Sequence, residues 1–203
     1  MSKLLGGRVS FLTFLPEKKA PDSDDLRKKL FDQRFHPLLP EDVRDESVGW
    51  VDPFLSFENQ AFPNCYFRDY YLFSLRIDRY SLGGAQLRPF LEEEIHRFKE
   101  DNKVEFIPAH QKKELRERAM RRVRVKTLPR TIITEAAWNL GENKLYLFTQ
   151  SSTIISKFID TFEKTFAISI APSYLVDAVE KLDKPGDLTS IIGELWDLGG
   201  GEE

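Results

Sequence analysis

A single cysteine, Cys65, stands among the 203 residues. No disulfide can close within the chain, so nothing in it calls for an oxidising compartment. Long apolar runs are missing too, and none approaches the roughly 18 residues that a membrane-spanning helix requires. The nearest thing to a leader, Val9 to Leu15, is broken by Ser10 and Thr13 and followed by Pro16-Glu17-Lys18-Lys19. It lacks the length and the small-residue cleavage site of a signal peptide, so it reads as a β-strand and the chain as cytoplasmic. Histidine is scarce: His36, His96 and His110 lie far apart and no second cysteine joins them, which argues against a zinc site. Cys65 has no histidine beside it and reads as a buried structural thiol rather than a nucleophile. Gly83-Gly84 and the terminal glycines fit neither the P-loop nor the dinucleotide-binding pattern. The expectation is a protein that is not an enzyme and needs no cofactor or metal.

What is present is apolar material for a core, with 41% hydrophobic residues and 16 phenylalanines, so wholesale disorder is not expected. The length suits a single domain, with two lobes as an option. Net charge is only −3, but its distribution is uneven. Lys112, Lys113, Arg116, Arg118, Arg121, Arg122, Arg124 and Lys126 share fifteen residues with two acids, Glu114 and Glu117. That segment carries +6, which leaves 22 basic and 31 acidic residues, or −9, in the rest. An acidic chain that concentrates positive charge on one element points to an anionic partner for that element.

Periodicity predicts the elements in order. A strand covers Val9 to Leu15. Asp22-Ser23-Asp24-Asp25 offers capping oxygens for a helix with Leu26, Leu30 and Phe31 on its apolar side, ending near His36-Pro37. Residues 37–65 read as irregular or short strands, with Trp50 packed under a loop. Tyr70 to Tyr80 is the strongest strand, with Tyr71, Phe73, Leu75 and Ile77 on one face and Ser74, Arg76 and Asp78 on the other. A helix follows Gly83-Gly84, with Leu87, Leu91, Ile95 and Phe98 at helical spacing and Glu92-Glu93-Glu94 on a solvated face. The basic helix begins about Pro108 and is broken by Leu128-Pro129. Thr131 to Asn139 and Lys144 to Thr149 form a hairpin around Gly141-Glu142-Asn143. Ser151-Ser152 caps a helix with Ile154, Ile155, Phe158, Ile159 and Phe162 on its apolar side. A strand from Ala167 to Ala171, a short helix around Tyr174 to Leu182, an apolar tail from Leu188 to Leu198 and frayed residues 199–203 complete the chain. The fold class is α+β, a mostly antiparallel sheet with packed helices that include a long two-helix segment.

On the basic helix, Leu115, Ala119, Met120 and Val123 form an apolar stripe, and Lys113, Arg118, Arg121 and Arg124 project away from it. Five arginines from 116 to 124, with no acid after Glu117, suit phosphate oxygens, and Arg130 extends the patch. The competing reading is a solvated helix whose arginines pair with the acids at 92–94. Phe54, Phe57, Phe62, Tyr66, Phe67, Tyr70 and Tyr71 offer stacking surfaces for single-stranded bases, or else a core beneath the long strand.

The chain also resembles the RdgC family of recombination-associated proteins, from about residue 8 to residue 180. Phe35-His36-Pro37 resembles the exit of that family's first helix, and Gly49-Trp50-Val51-Asp52-Pro53 its Gly-Trp-Val-x-Pro motif. Leu128-Pro129-Arg130 after a basic helix, followed by a strand and Trp138, is the most specific match. The resemblance implies sequence-independent binding of duplex DNA in recombination and replication, with restraint of a recombinase by occupying DNA, at the nucleoid. It further implies a homodimer that can enclose the duplex in a positively charged ring, and it carries over no catalytic residue. Ile132 departs from the family, which usually has a bulky aromatic there. Family members also extend beyond the point matching Glu203, and that extension helps close the ring, so an open dimer, a different dimer and a monomer remain alternatives.

The residues expected to meet phosphate are Arg118, Arg121, Arg122, Arg124, Lys126 and Arg130, supported by Lys112, Lys113 and Arg116. The alternative is an interaction module or inhibitor whose basic helix meets an acidic protein.

Overall fold

The computed structural model describes residues 10–42, 44–55 and 61–174. Val9, Phe57, the helix expected beyond Tyr174, the apolar tail and residues 199–203 lie outside the described residues. The elements are β1 (Leu12–Pro16), α1 (Ser23–Asp32), β2 (Glu46–Val51), β3 (Tyr66–Phe67), β4 (Tyr70–Arg79), α2 (Gly84–Asn102), α3 (Ala109–Val125), β5 (Arg130–Asn139), β6 (Lys144–Leu147), α4 (Ser152–Phe166) and β7 (Ile170–Pro172). The sheet runs β2-β4-β5-β6-β1-β7, with β3 paired to β4. β1 pairs antiparallel with β6 and β7, β5 with β6, and β3 with β4. The architecture is α+β on an antiparallel sheet, as expected.

The chain divides into two compact units, neither continuous in sequence. One takes the chain up to Arg34, Trp50–Leu75 and the chain from Ile133, and the other takes Phe35–Gly49 and Arg76–Ile132. Strands β2, β4 and β5 contribute residues to both.

The first unit is built on aromatic packing. Alternation along β4 and β5 sends Phe73 and Trp138 to the face where α4 lays Phe158, Phe162 and Phe166 at helical spacing. Trp50, fully buried, meets Phe73 edge-on at 5.2 Å and Phe158 at 5.6 Å. It is a core residue and not a loop filler. Its indole N–H needs a buried acceptor, and the Thr165 hydroxyl supplies one at 2.7 Å while donating in turn to the Thr161 carbonyl at 2.6 Å. Asp22 caps α1 by accepting from the N–H groups of Asp24 and Asp25, both at 3.0 Å. The helix stops at Asp32, earlier than periodicity suggested. The Gln33 carbonyl accepts from Trp50 N–H, and Arg34 bridges to Trp50 as strand. Phe31 accordingly lies 40% exposed, covered by the Arg34 guanidinium 4.1 Å from its ring. Cys65 is buried, and burial pushes its thiol pKa up, which suits an inert thiol.

The second unit centres on the α2–α3 hairpin. Leu87 of α2 packs on Ala119 and Val123 of α3, with Phe90, Leu91 and Met120 at the margin. Pro89 sits inside α2, which continues through it. Lys103 ends α2 with φ at 51°, a left-handed cap that turns the chain toward α3. The polar side of β4 is less solvated than its alternation implied. Asp78 is 2% exposed and receives Arg76 at 2.7 Å, while the Arg76 guanidinium covers the Phe35 ring at 4.3 Å.

Candidate nucleic-acid interface on the basic helix

Helix α3 forms because its first fourteen residues lack Gly, Pro and β-branched side chains, so intrinsic preference and the Leu115-Ala119-Val123 stripe agree. Packing of that stripe on α2 fixes the direction of each cation. Lys112, Lys113, Arg116, Arg118, Arg121, Lys126 and Arg130 are exposed. Lys112 lies 5.8 Å over the Phe106 ring and Lys126 5.1 Å over the Phe90 ring. Arg116, Arg118, Arg121 and Arg130 make no ion pair among the described residues. Glu114 and Glu117 are exposed within the first half of the helix, so unopposed positive charge belongs to the second half.

Two of the nine expected phosphate-facing residues are engaged elsewhere. Arg122 is half-buried and spans two carboxylates of α2, reaching Glu94 at 2.7 Å and Glu93 at 2.8 Å. Hydrogen bonding to both raises the arginine pKa and holds the Glu93 carboxyl below the usual glutamate value. The acidic run 92–94 is therefore not a uniformly solvated face. Glu94 is only 6% exposed, and it carries Arg97 as well as Arg122. Arg124 is 4% exposed. Its guanidinium bonds to the Asp42 carbonyl and the Asp45 carboxylate, and it lies 5.2 Å over the Tyr80 ring. Arg124 thus clamps the 42–45 segment to the hairpin and has no face to offer a phosphate.

The competing picture of arginines paired with the acids at 92–94 thus holds for Arg122 alone. Among the described residues no group of three His, Cys, Asp or Glu is placed to hold a metal ion, and no helix is long and apolar enough to cross a membrane.

The aromatic stretch divides. Phe62 and Tyr71 are buried, whereas Phe54, Tyr66 and Phe67 are about half exposed. Phe54, Phe67 and Tyr70 join Phe11, Tyr146 and Phe148 around an open groove of about 530 Å³ on the first unit, on the sheet face opposite α4. The sequence reading missed the last three. For Tyr146 and Phe148 the signal was available at β6, where Leu145 and Leu147 alternate with Tyr146 and with Phe148 just past the strand, large apolar groups on both faces of one segment.

No protein-family model matches the sequence, and no curated protein matches it.

Proposed function

We infer that the chain binds duplex DNA without reading its sequence, through exposed cations on the second half of α3 and just beyond it. One observation carries the reading: Arg118, Arg121 and Arg130 are exposed and make no ion pair among the described residues, with exposed Lys126 between them and no acid in the sequence from Arg118 to Arg130, in a chain whose net charge is negative. Such an array neutralises backbone phosphate and releases counterions, and it needs no base contact. Arg116, Lys112 and Lys113 support it from the first half. Arg124 is set aside because it is buried, and Arg122 because two carboxylates already hold it. The likeness to the RdgC family favours the same function and extends it to recombination and replication, to restraint of a recombinase by occupancy of DNA, and to a homodimer.

The test is fluorescence anisotropy with labelled duplexes of unrelated sequence at several salt concentrations. Similar affinities, and a linear fall of log K with log salt at about −0.9 per phosphate neutralised, support the reading. Absence of binding at low salt overturns it and turns attention to an acidic protein surface as the partner of α3.

A further inference from the structure

The cationic face of α3 does not stay cationic to its end. Arg118, Arg121 and Val125 stand three and four residues apart and share one face of the helix. Val125 is 68% exposed and so continues the line of arginines as an apolar group. Leu128, just past the helix, is 91% exposed, with exposed Lys126 and Arg130 two residues away on either side. Phosphate binding has no use for either apolar side chain.

The turn that carries Leu128 is held firmly. The Lys126 N–H donates to the Val123 carbonyl at 3.0 Å and the Thr127 N–H to the Arg124 carbonyl at 3.1 Å. Arg124 is itself bonded to Asp42 and Asp45. The ring of Pro129 fixes its own φ, and β5 starts at Arg130. A side chain on such a support loses little freedom when it is inserted into a partner.

The last carbonyls of α3 form the negative end of the helix, which disfavours phosphate at the tip itself. Phosphate is favoured on Arg121, Lys126 and Arg130 beside it in sequence. An apolar tip among phosphate-binding cations has the composition of a wedge that enters the minor groove and parts two stacked base pairs, a task for which Leu and Pro are typical. A membrane surface fits less well, because a helix lying on lipid needs a broad apolar face, and the Leu115-Ala119-Val123 stripe is spent against α2. Two side chains are likewise too few for the roughly 800 Å² per partner of a stable protein interface.

We propose that Leu128, backed by Val125, inserts between base pairs from the minor groove while the flanking cations hold the phosphates. The proposal rests on the DNA-binding reading and adds to it a preference for base steps that open easily. Ordinary duplexes hold many such steps, so binding stays independent of overall sequence.

The test titrates the full chain into a short duplex with 2-aminopurine at its one thymine–adenine step, read by base fluorescence and by anisotropy at several salt concentrations. Stacking quenches 2-aminopurine, so a wedge raises its emission. Wild type should raise it several-fold. Leu128→Ala should lose the rise at saturating protein and keep the salt slope, since no charge is removed, and Leu128→Phe should keep the rise. A mismatch at that step, already part-opened, should tighten wild-type binding several-fold and leave Leu128→Ala indifferent. Binding with an ordinary salt slope but no rise, or a rise that survives Leu128→Ala, overturns the wedge and leaves the DNA-binding reading standing. Absence of binding at low salt overturns both. Leu128-dependent binding to vesicles of anionic phospholipid, without the rise on DNA, assigns the tip to a membrane and overturns the wedge as well.

Discussion

The buried guanidinium of Arg124 bonds to the carboxylate of Asp45, a residue 79 positions earlier. The arginine side chain is 3% exposed and the aspartate side chain 67%, so the pair closes one edge of the hairpin from outside. In sequence Arg124 looks like one more member of a basic run, but its role is to hold the second unit together.

Substitutions along α3 should therefore separate into two kinds. Arg118→Glu with Arg121→Glu is expected to leave the thermal midpoint within a few degrees of wild type. It should weaken duplex binding and flatten the salt dependence by about one unit of slope per contact removed. Asp45→Ala is expected to leave a buried cation short of one partner and to destabilise by about 1–3 kcal/mol. Urea titrations of both variants, beside anisotropy, check the division.

Acid should loosen the hairpin. The Arg122 hydrogen bond depresses the Glu93 carboxyl in the folded state. The stability it contributes is present above the unfolded pKa, close to 4.5, and is lost as pH falls through the lower folded value. Glu93→Gln should lower the urea midpoint at neutral pH, and the difference from wild type should disappear well below pH 4. A difference that persists in acid means that the ion pair contributes nothing.

In the aromatic core, Thr165→Val removes the acceptor of the Trp50 indole N–H while keeping the shape of the side chain. An unmet buried donor costs about 1–3 kcal/mol. Phe158→Ala opens a cavity and is expected to cost about 3–5 kcal/mol. Chemical denaturation followed by the fluorescence of the buried tryptophans distinguishes the two losses.

Ala167 closes α4 with φ at 53°, in the left-handed region that glycine enters without steric cost. Ala167→Gly should raise stability by about 0.5–1 kcal/mol, because relief of that conformation outweighs the added freedom of the unfolded chain. A lower midpoint in the glycine variant contradicts this account of the cap.

Local chemistry was legible in the sequence. Asp22 announced the start of α1, Gly141-Glu142-Asn143 the turn between β5 and β6, and Ser151 the start of α4. Each is decided by a few neighbouring residues. The early stop of α1 was not legible, because it depends on Trp50 capturing the Gln33 carbonyl from seventeen residues away. The basic helix was visible as a helix and as a charge, and the exposure of Arg118 and Arg121 followed from its apolar stripe. The burial of Arg124 and Glu94 did not follow from it. The wheel positions of these two residues leave open whether water or another segment covers them, and Asp42 to Asp45 and the facing helix provide the cover.

The two compact units alternate along the polypeptide, which changes from one to the other at residues 34–35, 49–50, 75–76 and 132–133. A single backbone cleavage cannot release either one intact. Exchange of one contiguous stretch short of the whole chain would likewise divide at least one unit, because even the long run Arg76–Ile132 leaves Phe35–Gly49 of its own unit behind. Neither unit can therefore pass whole from one protein to another by a single exchange of sequence, and each has to vary in step with the segments of the other that interrupt it.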